Sequence, residues 1–81
     1  MLLSELKNGT SAVVHEVEDA LDVDAIARRL RELGFVNGEP VRMIARGPLG
    51  CDPLLVQIGY TRFALRKSEA ARVRLIAEDA A

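Results

Sequence analysis

Beyond Asn37-Gly38 the apolar residues come only in short runs, and this spacing limits the possible folds more than any other feature of the chain. Val41 to Arg46, Leu54 to Ile58, Arg62 to Arg66 and Val73 to Ala77 are each of strand length. The breakers Gly47-Pro48-Leu49-Gly50-Cys51-Asp52-Pro53, Gly59-Tyr60-Thr61 and Lys67-Ser68-Glu69-Ala70 separate them. None is long enough to be a helix that buries a face, so each reads as a strand. In Arg62 to Arg66 the alternation is plain: Phe63 and Leu65 face one way, and Arg62, Ala64 and Arg66 the other. That is the pattern of a half-buried strand.

The first half of the chain adds one strand and one helix. Thr10 to Glu18 reads as a strand with Ala12 and Val14 on one face, and Val17 rejoins that face only through a bulge at His15-Glu16. In the segment from Asp24 to Phe35, Asp24 is the N-cap acceptor. Ile26, Leu30 and Leu33 recur at i, i+4 and i+7 and are expected to form the buried face. Gly34 is placed to take the left-handed conformation that ends the helix, which lets Phe35 fold back onto Leu30. Ser4 and Ser68 are expected to cap single helical turns near the two ends, and Asn8-Gly9 to end the first of them.

Five short strands with one inserted helix make a mainly β protein. A flat sheet of this size would expose one apolar face and two edges, so a small five-stranded barrel is expected. At 81 residues the chain is expected to be one domain, 1–81, with a modest core and no deep substrate cleft beside it.

The charge balance and the side-chain inventory narrow the function. A net charge of −1 argues against a dedicated nucleic-acid binder. Its distribution is uneven. Glu5, Glu16, Glu18, Asp19, Asp22 and Asp24 crowd the first 24 residues, whereas Arg42, Arg46, Arg62, Arg66, Lys67, Arg72 and Arg74 dominate the later ones. Faces of opposite sign are therefore expected. No Ser or Cys nucleophile has a neighbouring base, and no phosphate-binding GxxxxGK loop occurs, so the chain is not expected to be an enzyme. One cysteine, Cys51, and one histidine, His15, fall short of the three or four ligands a zinc or iron site needs. They are weak metal candidates, and His15 among carboxylates suits at most an adventitious divalent ion. No cofactor is expected. No apolar run reaches the roughly 18 residues that cross a bilayer. The start lacks a secretory pattern, so a cytoplasmic location is expected.

Several pieces taken in order resemble one family. They are Gly9, Ala12 and Val14; Arg29-Leu30-Arg31-Glu32-Leu33-Gly34-Phe35 with Gly38; Pro48-Leu49-Gly50 followed by Asp52-Pro53; and Ala64-Leu65-Arg66-Lys67 with Glu69-Ala70. Together they resemble the FeoA proteins of bacterial ferrous iron uptake, which have an SH3-like barrel. Cys51 stands where the family loop has no residue or another small one. The same barrel ends iron-dependent repressors, whose preceding DNA-binding domain is not expected here.

The resemblance implies a partner rather than a reaction: FeoB, a membrane iron transporter with a cytoplasmic guanine-nucleotide-binding domain. On it, Pro48, Leu49, Gly50, Asp52 and Pro53 form a presented contact loop, with Leu49 as its apolar tip. Arg46 and Arg66 are candidates for insertion into the partner's nucleotide site, although surface salt bridges are the commoner use of such residues. The alternative is an autonomous barrel that binds nucleic acid through Arg62, Arg66, Lys67, Arg72 and Arg74, but only Tyr60 and Phe63 are available to stack bases. No direct membrane insertion is expected, and a weak homo-oligomer is open.

Overall fold

The structure is a computed structural model that describes residues 1–47 and 52–76. After a 3-10 turn at Leu3–Glu5 come β1 (Ser11–Val17), α1 (Ala25–Leu33), β2 (Pro40–Arg46), β3 (Leu54–Ile58), β4 (Thr61–Leu65), the one-turn α2 (Lys67–Ala70) and β5 (Val73–Ile76). The strands form one sheet in the order β4-β3-β2-β1-β5, with every neighbouring pair antiparallel. The first strand is one residue shorter at each end than expected. Of the last run, Ala77 lies outside the described residues.

Two bulges curl this sheet. The register of β1 against β5 shifts between Val14 and Glu16, at the expected place, and so both Val14 and Val17 point into the core. A second shift, in β2 against β3 between Met43 and Ala45, carries no marker in the sequence because Met43, Ile44 and Ala45 are all apolar. The outer edge of β5 is covered by the start of the chain: Leu2 bridges to Arg74, and the Leu75 N–H donates to the Met1 carbonyl at 2.7 Å. Leu3, Phe35, Met43, Leu54, Val56 and Val73 are completely enclosed. Phe35 meets Phe63 at 6.0 Å between ring centroids in a tilted arrangement.

Helix α1 covers the core with a different face from the one the large apolar residues suggest. Ala27 and Leu30 are buried, Leu33 is partly buried, and Ile26 is 37% exposed. Counting only large side chains hides Ala27, whose small size lets the helix backbone approach the core. Gly34 ends α1 with φ 115°, and the Phe35 N–H donates to the Leu30 carbonyl at 3.1 Å, which turns the Phe35 ring inward.

Neither serine caps its turn. Ser4 lies within the Leu3–Glu5 turn and Ser68 within α2. In each case a glutamate at the third helical position reaches back: Glu5 accepts from the Leu2 N–H at 2.8 Å, and Glu69 from the Arg66 N–H at 2.7 Å. Two of the late bases meet early acids where the end of the chain passes beside β1 and the start of α1. Arg74 bonds Glu18 at 2.7 Å and Arg72 bonds Asp24 at 2.7 Å, while Arg31 on α1 bonds Asp19 at 3.0 Å.

Candidate functional site: the base of the β2–β3 connection

Strands β2 and β3 bring the two ends of the Gly47–Pro53 connection together. The Gly47 N–H donates to the Pro53 carbonyl at 2.8 Å, closing the base. A Cβ on Gly47 would stand 2.5 Å from the Asp52 carbonyl oxygen, so only glycine permits this approach. Asp52 turns its carboxylate outward from the base, where Oδ1 accepts from the Lys67 N–H at the start of α2 at 3.0 Å. Pro48, Leu49, Gly50 and Cys51 lie outside the described residues.

Arg46 and Arg66 differ. The half-buried Arg46 extends beneath the amino-terminal segment, where Nη2 donates to the carbonyls of Ser4, at 3.1 Å, and Leu6. Its guanidinium is therefore committed to holding two segments of this chain together. Arg66 is exposed at the end of β4, just before α2. Among the described residues neither takes part in an ion pair.

His15 is exposed in the β1 bulge. Its Nε2 is 3.7 Å from Glu16 Oε2, and its carbonyl accepts from Asn37 Nδ2 at 2.9 Å. No group of three or more His, Cys, Asp or Glu side chains is placed to hold a metal ion among the described residues. The concavities on the described surface are shallow. One of about 410 Å³ is lined by Pro40, Arg42, Gln57 and Tyr60 among others, and a groove of about 150 Å³ runs between α1 and β4 past Ile26, Leu30 and Phe63. Ser11 and Glu39 also line the first, with no hydrogen bond between their side chains among the described residues.

One charged centre exceeds its expected role. Asp24 caps α1 as its position foretells: Oδ1 accepts from the Ile26 and Ala27 N–H groups, each at 3.1 Å. Its Oδ2 also accepts from the Ala20 N–H and from Arg72 Nε, both at 2.7 Å. The bond from Arg72, then the backbone donors, hold this carboxyl far below the usual carboxylate range although burial opposes ionisation. Arg72 also donates from Nη1 to the Ser68 carbonyl at 2.8 Å, which ties the end of α2 to the start of α1. Partners 48 residues apart leave no local signal in the sequence.

Comparison with known proteins gives this site its setting. The FeoA domain model matches residues 1–76. A Porphyromonas gingivalis protein described as a fusion of Fe(2+) transport protein A and the Fe(2+) transporter FeoB is 35% identical over 75 residues. That match takes in 93% of this chain and 8% of the fusion protein, so the chain spans a small part of that relative's length. The crystal structure of Stenotrophomonas maltophilia FeoA, solved with zinc and described as a prokaryotic SH3 domain protein, is 68% identical. It superposes with a TM-score of 0.90 over 95% of this chain and 91% of its own. The solution structure of iron(II) transport protein A from Clostridium thermocellum is 32% identical, with a TM-score of 0.79 over 93% of this chain and 44% of its own. The curled five-stranded sheet is thus an SH3-like domain, and the chain belongs to the FeoA family.

Proposed function

We propose that this chain is an accessory protein of bacterial ferrous iron uptake, acting at the cytoplasmic face of the membrane by binding a FeoB-type transporter and modulating it. The observation that carries this reading is the Porphyromonas gingivalis relative, in which a region 35% identical to nearly the whole of this chain is joined to the transporter in one polypeptide. Covalent fusion keeps two parts at high effective concentration, as suits parts that act together. The described site agrees with a binding role: the Gly47–Pro53 bond closes the base of the connection and so limits the freedom its two ends would lose on binding. No helix among the described residues is long and apolar enough to cross a membrane, so the reading places membrane passage in the transporter. Of the two arginines, only Arg66 is exposed enough to reach a partner's nucleotide site.

The test is a pull-down with this chain from nuclease-treated lysate. Retention of the membrane transporter is expected; retention of nucleic acid in its place would favour the alternative barrel reading. In the same assay Leu49→Ser should weaken transporter binding by about 1–3 kcal/mol, as for a good interface anchor, with an unchanged thermal midpoint. Cys51→Gly should bind like wild type. A destabilised Leu49→Ser variant whose folded fraction binds normally would make that residue structural.

A further inference from the structure

The turn between β1 and α1 carries two apolar side chains that the core does not use. Leu21 is 64% exposed and Val23 is 87% exposed, with the exposed Asp22 between them. Single apolar residues on a surface are ordinary. Two at the tip of one fastened turn are less so, and this turn is fastened. Asp24 at its end bonds back to the Ala20 N–H at its start, and Arg72 holds Asp24 in place. A turn set in advance loses little freedom when a partner covers its tip.

Its position is informative as well. Helix α2 is bonded near both ends: the Lys67 N–H donates to Asp52 at the base of the β2–β3 connection, and Arg72, two residues past the last helical residue, grips Asp24 at the base of the Leu21–Val23 turn. A helical turn rises only about 5.4 Å. The bases of the two connections therefore lie at the two ends of one short helix.

We propose that Leu21 and Val23 form an apolar docking foot beside α2, at the end of that helix away from Asp52, and that the transporter's cytoplasmic domain covers it. This rests on the function proposed above. The charges select the chemistry of the occupant. Asp22 takes part in no ion pair among the described residues, and Arg66 and Lys67 are exposed at the start of α2. The matching surface is an apolar socket with a cationic side chain facing Asp22 and carboxylates facing Arg66 and Lys67. A protein supplies both signs, whereas an anionic lipid surface or a phosphate backbone repels Asp22.

The experiment titrates this chain against the full-length transporter in detergent. The variants are Leu21→Ser/Val23→Ser, Asp22→Lys and, as a control, Tyr60→Ser, whose fully exposed ring lies at the β3–β4 turn, at the other end of β3 from the loop. The double variant should bind about 10 to 100 times more weakly, as for loss of interface anchors, and Asp22→Lys several times more weakly. Tyr60→Ser should match wild type. Thermal midpoints should stay together because none of these side chains is buried, and Asp22→Lys reports on the surface even where the double variant unfolds early. Wild-type binding that both turn variants retain overturns this inference and leaves the function standing. No wild-type binding overturns both.

Discussion

The turn from β1 into α1 and the connection from β2 to β3 both leave a strand and end against α2, but different chemistry holds them. The first is organised by one buried carboxylate, Asp24, which gathers the N–H groups of Ala20, Ile26 and Ala27 and the guanidinium of Arg72. The second is closed by backbone at Gly47 and Pro53, and its flanks are fixed by Arg46 on carbonyls and Asp52 on an amide. One depends on an ionised side chain at its centre, whereas the other depends on a glycine that admits a close approach and on peripheral clasps. The first should therefore respond to acid and to charge removal, and the second to shape.

Beneath the first region the anchoring is apolar, and the largest expected effect lies there. Leu30→Ala should cost about 2–5 kcal/mol, the range for a buried leucine, read as a shift in urea midpoint. Ile26→Ala, one turn away on the exposed rim, should cost far less. Equal losses would restore Ile26 to the buried face and break the picture of a helix seated on Ala27 and Leu30.

Asp24→Asn comes next and separates the two regions by pH. The carboxyl is held below its ordinary value in the folded chain, mainly by Arg72, so its stabilisation is present above the unfolded value of about 4. It is lost as pH falls from there toward the folded value. Wild type should exceed Asp24→Asn in stability by a constant margin above about pH 5, and the margin should shrink at lower pH. A margin that stayed constant down to strongly acid pH would mean that the ionised form is not what holds the turn.

Arg46→Met examines the second region in the same terms. Removing the guanidinium leaves the Ser4 and Leu6 carbonyls without this donor and should cost about 1–3 kcal/mol, with no change in the shape of the pH profile. The loss should appear first as amide exchange in residues 1–6, since Arg46 holds that segment against the end of β2. Fast exchange confined to the β2–β3 connection would instead make Arg46 a loop brace.

How far each region could be read from the sequence follows from the same contrast. The Asp24 cap, the Gly34 terminus and the inward Phe35 are local events, set within a few residues, and the spacing of the helix displays them. The β1 bulge was legible because Val17 breaks the alternation of Ala12 and Val14, whereas the β2 bulge was not, since three apolar residues in a row keep no phase. Arg72 on Asp24 and Arg46 on the Ser4 carbonyl join residues 48 and 42 positions apart, and no window of sequence contains either pair. The family resemblance pointed to the Pro48–Pro53 loop. It said nothing of the Leu21–Val23 turn, whose interest comes only from exposure and from what Asp24 does in three dimensions.

The smallest expected effect concerns α2, the element both regions share. Ser68→Ala should change stability by no more than about 0.5 kcal/mol, because the serine lies inside the turn and caps nothing. Glu69→Ala should cost about 0.5–1.5 kcal/mol, the net worth of its bond from the Arg66 N–H. That order reverses the one expected from reading Ser68 as the cap. If α2 is the spacer that sets the two connections apart, Glu69→Ala should also raise amide exchange at Lys67, whose N–H is given to Asp52, more than at Ala20, whose N–H is given to Asp24. Asp24 keeps its own anchor through Arg72, while Asp52 depends on the first turn of α2 staying formed. Equal exchange at the two amides would mean that the regions open as one unit, and the contrast between them would then lie in their chemistry and not in their stability.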